Sequence, residues 1–319
     1  MNRRQLGGTD LVVSAVCCGA GGFGSACKGA DLDALLKVYR DAGGNFVDTA
    51  HCYAFWLPEG SGCSERALGD YLRRNGKCDL VIGTKGGHPS APGYRKTDAW
   101  LAPGCVAADI DDSLGWLGLD ALDFYWLHRD DTRVPVGEIV DMLNAEFRRG
   151  RIRWFGASNW HRDRLAAANA YAAAHGLQGF SASQPEWNLA LKNGLPAMES
   201  GPGAGTEMRV MTALDRAWYR ETKLPVVPYS ATAGGYFASR GERCQAAYAS
   251  PVNRGRLERA VVLATEIGVT PGQIALAWLM NQEFPVLPII GSLQAVHLQE
   301  DLAASGICLT PGQVQWLEG

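Results

Sequence analysis

The sequence contains no apolar run long enough to cross a membrane and no dense run of lysine or arginine. A membrane-spanning helix needs roughly 20 mostly apolar residues, and polar residues interrupt every apolar stretch of this 319-residue chain well before that length. The net charge of -3 provides no basic surface for nucleic acid or anionic lipid. We therefore expect small-molecule partners, without nucleic acid and without a membrane.

The nine cysteines include no C-x-x-C pair. Their odd number, with Cys17 and Cys18 adjacent, favours neither a disulfide framework nor a zinc site. The first ten residues, MNRRQLGGTD, are polar where a secretory signal needs an apolar segment. The sequence therefore predicts a cytoplasmic protein with reduced cysteines and no bound metal.

Short apolar runs alternate with longer amphipathic stretches along the whole chain, which is typical of βα units. Eight runs are predicted as strands, at residues 12–18, 45–48, 80–85, 122–128, 153–158, 179–184, 225–230 and 284–291. Helices are predicted at residues 31–42, 64–75, 105–117, 135–149, 162–175, 207–221, 254–281 with a break at GVTPGQ, and 294–303. Eight such units predict an α/β fold, a (β/α)8 TIM barrel forming a single domain over residues 1–319.

One motif favours a different fold. Residues 19–24, GAGGFG, match the dinucleotide-binding pattern G-x-G-x-x-G, and Asp48 stands where a Rossmann fold places its ribose-binding acid. In that fold, however, the last glycine opens a helix whose N-terminus meets the pyrophosphate. Here SACKGAD separates the glycines from the next helical pattern. We therefore interpret residues 19–24 as a loop at the barrel mouth.

Four polar side chains stand at or just after the ends of consecutive predicted strands. They are Asp48 and Tyr53 after the second strand, Lys85 at the end of the third and His128 at the end of the fourth. Each alone has a structural explanation, such as a strand end or a hydroxyl that reaches solvent. In a barrel, however, these strand ends share one mouth, where the active site lies.

Together these side chains suit proton transfer to a carbonyl or from an alcohol. A free phenol has a pKa near ~10, and a neighbouring ammonium at Lys85 would stabilise the phenolate of Tyr53. Asp48 would supply the counter-charge that a buried lysine needs. His128 would add a second donor for the substrate oxygen.

Around these residues the chain resembles the aldo-keto reductases. The segments that carry the resemblance are LGGTDLVVSAVCCGAGGFG, FVDTAHCY, SERALG, GTKGG, DFYWLHRDD, GASNW, SQPEWN, VVPYSATAGGYF, PIIGS and HLQEDL, in the order of the family. The resemblance implies a nicotinamide-dependent oxidoreductase that acts on an aldehyde, ketone or sugar. It implies Tyr53 as general acid and base, Lys85 and Asp48 as the groups that tune it, and His128 as the group that orients the carbonyl.

The same resemblance implies a cofactor site. Ser158, Asn159 and Gln184 would hold the carboxamide, and Tyr229 would stack on the nicotinamide ring. The other implied contacts are Ser230, Gly291, Ser292, His297, Glu300 and Asp301. No lysine or arginine follows Gly291, although the family often binds the 2′-phosphate with one. We therefore expect NADP(H) to be favoured only slightly, with NAD(H) possible.

Two other functions are compatible with parts of this pattern. A Schiff-base aldolase would use Lys85 as its nucleophile, and a non-catalytic nicotinamide-binding subunit would use only the cofactor residues. Phe55, Trp56 and Trp187 are candidates for stacking on a sugar or aryl substrate, or for structural lids.

Overall fold

The computed structural model describes residues 1–91, 93–94, 97–194 and 205–319. A seven-stranded parallel sheet runs in the order β8-β7-β6-β5-β4-β3-β9. The strands are β1 Arg3–Gln5, β2 Val12–Ser14, β3 Cys17–Gly19, β4 Phe46–Asp48, β5 Val81–Gly86, β6 Leu122–Leu127, β7 Ile152–Ser158, β8 Ser183–Gln184 and β9 Ile289–Ile290. Burial of these parallel strands beneath the helices accounts for their apolar sequences.

The predicted strand at 225–230 forms isolated bridges rather than a regular ladder, because proline has no N–H to donate. Val226 still pairs with Ser183 in β8. The N–H of Ile289 in β9 donates to the carbonyl of Pro228 at 2.9 Å. Residues 225–230 therefore join the two edges of the sheet, and the predicted (β/α)8 barrel is confirmed.

Helices alternate with the barrel strands, as predicted. The α-helices are α1 Ala30–Asp41, α2 Cys63–Asn75, α3 Pro103–Leu117, α4 Val136–Arg148, α5 Arg162–Ala174, α6 Ala213–Thr222, α7 Gln245–Tyr248, α8 Pro251–Ile267, α9 Pro271–Met280, α10 Ala295–Ala303 and α11 Pro311–Glu318. Helix α6 begins six residues later than predicted, because Thr212 and Asp215 form a capping box there. Part of the long connection before it, residues 195–204, lies outside the described residues.

The predicted strand at 12–18 is two strands. Its first half, β2, pairs antiparallel with β1 and forms a hairpin that the sequence pattern did not reveal. The hairpin contributes Leu6, Leu11 and Val13 to an apolar cluster that also contains Phe124 and Trp126 of β6. The same cluster contains Phe46 and Val81, the first residues of β4 and β5, so the hairpin covers the N-terminal end of the barrel.

The glycine-rich segment at 19–24 does not open a helix. Gly19 ends β3, a turn follows, and α1 begins only at Ala30 after Gly29. The phosphate-binding geometry of a Rossmann turn, which needs a helix directly after the glycines, is therefore missing from this segment. The interpretation as a loop is confirmed.

Helices α8 and α9 are joined at a bend of 97° and together meet the length and hydropathy expected of a membrane span. No single helix in the described part of the chain is long and apolar enough to cross a membrane. Helix α9 lies in the core, with Ile274, Leu276 and Trp278 buried.

Gly69 of α2 lies where this helix crosses α3. A methyl group at Gly69 would overlap the carbonyl oxygen of Trp116, whereas one at Gly115 of α3 would meet nothing within 4 Å. We expect Gly69→Ala to lower the free energy of unfolding by about 1–3 kcal/mol. Gly115→Ala should leave it unchanged or raise it by up to about 1 kcal/mol. Urea denaturation of both variants measures this, and equal stability would refute the close helix contact.

Candidate active site

The C-terminal ends of β4, β5 and β6 bring the four predicted catalytic side chains together. Asp48 ends β4, Lys85 lies next to the end of β5, and His128 directly follows β6. The Lys85 Nζ donates to the Asp48 carboxylate and to the Tyr53 Oη at 3.0 Å. The ring of His128 stands edge-on to the ring of Tyr53, with centroids 6.1 Å apart.

Lys85 and Asp48 form a buried ion pair, each side chain only 2% exposed. The carbonyl of Thr49 accepts a further hydrogen bond from Lys85 Nζ at 2.7 Å. Burial works against the ammonium, but Asp48 and Tyr53 outweigh it and raise the pKa of Lys85. Burial also raises the pKa of Asp48, and the ammonium opposes this rise. Lys85 therefore keeps its charge at neutral pH.

Lys85 acts to lower the pKa of Tyr53, as predicted, but the sequence did not reveal the larger opposing effect of burial. Burial raises the pKa of Tyr53, and the ammonium of Lys85 acts against this rise without cancelling it. Desolvation disfavours the phenolate more than one neighbouring charge favours it. Tyr53 is therefore protonated at neutral pH and has a proton to donate.

His128 is a neutral imidazole. Burial, with help from the neighbouring Arg129, lowers the pKa of His128 well below its usual value. Its Nδ1 lies 3.4 Å from the Sγ of Cys52, and burial raises the pKa of that thiol to about 12. Because a thiol is a better donor to an imidazole nitrogen than an acceptor from it, we assign the proton of His128 to Nε2 and let Nδ1 accept from the Cys52 thiol.

Four of the predicted cofactor residues form one hydrogen-bonded group at the ends of β7 and β8. The Ser158 hydroxyl donates to the backbone carbonyl of Gln184 at 2.9 Å. The Tyr229 hydroxyl donates to Asn159 Oδ1 at 2.7 Å. Gln184 Nε2 donates to Asp48 at 3.1 Å. Asn159 adopts a φ of 63°, a strained conformation for a residue other than glycine.

The remaining predicted cofactor residues are Ser230, Gly291, Ser292, His297, Glu300 and Asp301. Ser230 has a φ of 56°, and its carbonyl accepts from Asn188 Nδ2 at 3.2 Å. After β9, Ser292 Oγ donates to Asp301 Oδ2 at 2.6 Å. His297 is exposed one turn earlier on α10, so the structure places an acid rather than a base directly against Ser292.

The mouth also contains residues that the sequence pattern did not single out. His88, two residues after β5, packs its ring 5.0 Å from His128 and 5.8 Å from Phe55. Tyr94 packs against Phe55 at 5.6 Å. Trp56 is 59% exposed beside them. A signal for His88 existed in the sequence, because a histidine just beyond a strand end faces the same mouth as His128.

Trp187, a candidate for substrate stacking, lies in the core instead. It is 5% exposed, and its ring packs 5.2 Å from Trp278 and 5.8 Å from Phe284. Its position three residues after the end of β8 suggested the mouth, but the indole belongs to the main hydrophobic core. Trp187 is therefore a packing residue.

The described part of the chain contains no group of three or more His, Cys, Asp or Glu side chains arranged to hold a metal ion. All nine cysteines lie within the described ranges, and none of them forms a disulfide bond.

Sequence comparison decides the family. The profile of the Aldo/keto reductase family matches residues 15–319. The chain belongs to the aldo/keto reductase family. This aldo/keto reductase is 29% identical over 304 residues to a 6-dehydroglucose reductase of Novosphingobium aromaticivorans, covering 94% of this chain and 89% of that protein. It is 28% identical to the aldo-keto reductase ausK of Aspergillus calidoustus, over 89% of this chain and 71% of that protein.

The fold is also similar to a solved structure. A thermostable aldo-keto reductase, Tm1743, crystallised in complex with the inhibitor epalrestat, superposes with a TM-score of 0.72. The match covers 100% of this chain and 99% of that chain, at 21% identity. At this identity the likeness concerns the barrel, and the family assignment rests on the profile.

The buried pair of Lys85 and Asp48 makes a prediction for stability. We expect Asp48→Asn to cost about 3–5 kcal/mol, because it leaves a buried ammonium without its counter-charge. The double variant Asp48→Asn, Lys85→Met should lose less than the sum of its parts. In Lys85→Met, the pKa of Asp48 rises further, so the folded state binds the proton more tightly and stability should increase as pH falls. Urea denaturation between pH 5 and pH 8 measures these effects, and additive losses would contradict the pairing.

Proposed function

We propose that this aldo/keto reductase transfers hydride between NAD(P)H and a carbonyl compound or its alcohol, with Tyr53 as general acid and base. The observation that carries the proposal is the Lys85 ammonium, which bonds to Asp48 on one side and to the Tyr53 hydroxyl on the other. An ammonium held in this way stabilises negative charge at one phenolic oxygen.

In the direction of reduction, the Tyr53 hydroxyl gives its proton to the carbonyl oxygen and becomes a phenolate. The nearby charge of Lys85 lowers the free energy of that phenolate, and Asp48 keeps Lys85 charged and oriented. In the direction of oxidation, the phenolate takes the proton back from the alcohol. The raised pKa of Tyr53 suits the first direction at neutral pH.

His128 would orient the same carbonyl oxygen. With Nδ1 engaged by Cys52, its Nε2–H is a donor that strengthens as negative charge grows on the substrate oxygen. Because the ring is neutral and buried, it donates a hydrogen bond without adding a positive charge that would compete with Lys85. Tyr53 and His128 thus act on one substrate oxygen from two directions.

The cofactor proposal depends on whether the donor set fits a nicotinamide. A carboxamide needs both donors and acceptors, and Ser158, Asn159 and Gln184 supply hydroxyl and amide groups within hydrogen-bonding distance of one another. The half-buried ring of Tyr229, bonded through Oη to Asn159, adds an aromatic surface beside them. When bound, the nicotinamide supplies or accepts the hydride. The chain's part is to fix the ring so that one face meets the substrate.

The proposal on the choice between NADP and NAD depends on the residues that follow β9. Ser292 is the hydroxyl available to a 2′-phosphate, but Asp301 accepts its hydrogen bond and carries a carboxyl group close by. Burial raises the pKa of Asp301, which weakens but does not remove the repulsion of a phosphate. We therefore propose modest discrimination, with NADP(H) only slightly favoured and NAD(H) usable.

The two alternatives are less well supported. A Schiff-base nucleophile must be a neutral amine, whereas its surroundings raise the pKa of Lys85. A non-catalytic nicotinamide-binding subunit has no need for a complete set of Asp48, Tyr53, Lys85 and His128, which here contact one another.

The relative named 6-dehydroglucose reductase supports a sugar among the possible carbonyl substrates. The nine cysteines, all described and none in a disulfide bond, support a cytoplasmic location, which we also propose.

The first test removes the proton donor. Tyr53→Phe should reduce turnover of an aldehyde panel by about 10²- to 10⁴-fold or more while leaving the affinity for NADPH and NADH nearly unchanged, because only the hydroxyl takes part in chemistry. Steady-state kinetics and fluorescence titration of the cofactor measure the two effects. A variant that keeps more than half of the wild-type rate would remove Tyr53 from the mechanism. Borohydride trapping of a carbonyl substrate on Lys85 would favour the aldolase.

The second test concerns the cofactor. We expect NADPH and NADH to bind within about a hundredfold of each other, since one charge-assisted pair is worth roughly 1.5–3 kcal/mol. His297→Arg should increase the preference for NADPH by adding a permanent positive charge. Asp301→Asn should increase it by removing a negative charge. Dissociation constants at fixed salt measure the ratio. If neither variant changes it, the end of β9 does not contact the adenosine ribose.

A further inference from the structure

The second histidine of the mouth, His88, has a fixed tautomer. Its Nδ1 lies 2.8 Å from the carbonyl oxygen of Pro89. A carbonyl oxygen only accepts, so Nδ1 must carry the proton. Burial lowers the pKa of His88, and the neutral ring therefore has a bare Nε2 that can only accept. His88 therefore carries its proton on Nδ1, whereas His128 carries its proton on Nε2.

Both Nε2 atoms are available to a ligand. Neither His88 Nε2 nor His128 Nε2 makes a hydrogen bond within the described residues, and neither belongs to the buried polar atoms that lack a partner. Both atoms therefore reach accessible space. The rings of Tyr53, His128 and His88 follow one another, with centroid separations of 6.1 Å and 5.0 Å.

The row of three rings thus presents two donors and then one acceptor. Tyr53 Oη–H and His128 Nε2–H suit the lone pairs of a carbonyl oxygen. The bare Nε2 of His88, in the adjacent ring, suits a group that donates, such as a hydroxyl on a neighbouring carbon. An apolar carbonyl compound would leave this acceptor without a hydrogen bond once it displaced water, which carries a cost.

We infer that His88 accepts a hydrogen bond from a substrate hydroxyl next to the reacting carbonyl, so that the site selects hydroxy-carbonyl compounds of the sugar type. This inference rests on the proposed reduction of carbonyls and adds a substrate class to it. The half-buried ring of Phe55, 5.8 Å from His88, provides an apolar surface for the C–H groups of such a substrate.

The test uses pairs of substrates that differ only by a hydroxyl in place of a methyl group. They are lactaldehyde with isobutyraldehyde and hydroxyacetone with butan-2-one. The wild-type enzyme should favour the hydroxylated member by about ten- to a hundredfold in kcat/KM, after correction for hydration of the aldehydes. In His88→Phe the ratio should fall close to one, through a loss confined to the hydroxylated substrate. His88→Gln, which retains an acceptor, should keep part of the preference.

His175→Phe is the matched control, because His175 also bonds through Nδ1 to a backbone carbonyl, that of Tyr171 at 2.8 Å, but is exposed at the end of α5. It should leave the ratio unchanged. A wild-type ratio near one, or the same ratio in His88→Phe, would overturn the inference while leaving the reductase proposal in place. Failure to reduce either member of both pairs, with cofactor binding intact, would instead count against the proposed function.

Discussion

The buried ammonium of Lys85 is the charge on which the arrangement of the mouth depends. A lone ammonium in a barrel interior would lose its proton, and Asp48 prevents this at the cost of burying a second charge. The remaining hydrogen bonds of the pair are made nearby. Lys85 donates to the Thr49 carbonyl and to the Tyr53 hydroxyl, and Asp48 accepts from Gln184. Removing either Lys85 or Asp48 is therefore expected to change the pKa of the other and of Tyr53.

This dependence extends across the barrel. Gln184 belongs to β8 and Asp48 to β4, 136 positions apart in the chain, yet a hydrogen bond of 3.1 Å joins them. Gln184 also belongs to the amide and hydroxyl group that fits a carboxamide, so the proposed proton donor and the proposed cofactor contacts share one hydrogen-bonded network. Closure of the barrel through residues 225–230 is what brings Tyr229 to the same network.

The sequence identified the candidate site residues that stand at the ends of strands. It did not identify residues that matter only through a contact with another site residue. Asp48, Lys85 and His128 stood out because polar groups directly after apolar runs meet at one face of a barrel. Cys52 did not stand out, since its importance lies in a contact with His128 from another strand. For Trp187 the sequence left substrate stacking and a structural role open, and its burial against Trp278 supports the structural role.

The sequence by itself determined the period of strands and helices, the barrel that this period implies and the identity of the polar groups at its mouth. These follow from local patterns, because hydrophobic period and strand-end position are readable over a few residues. Only the tertiary structure decided the ionisation of Tyr53, the opposite tautomers of His88 and His128, and the acid against Ser292. Those properties depend on burial and on partners distant in the chain, and neither is written in the local sequence.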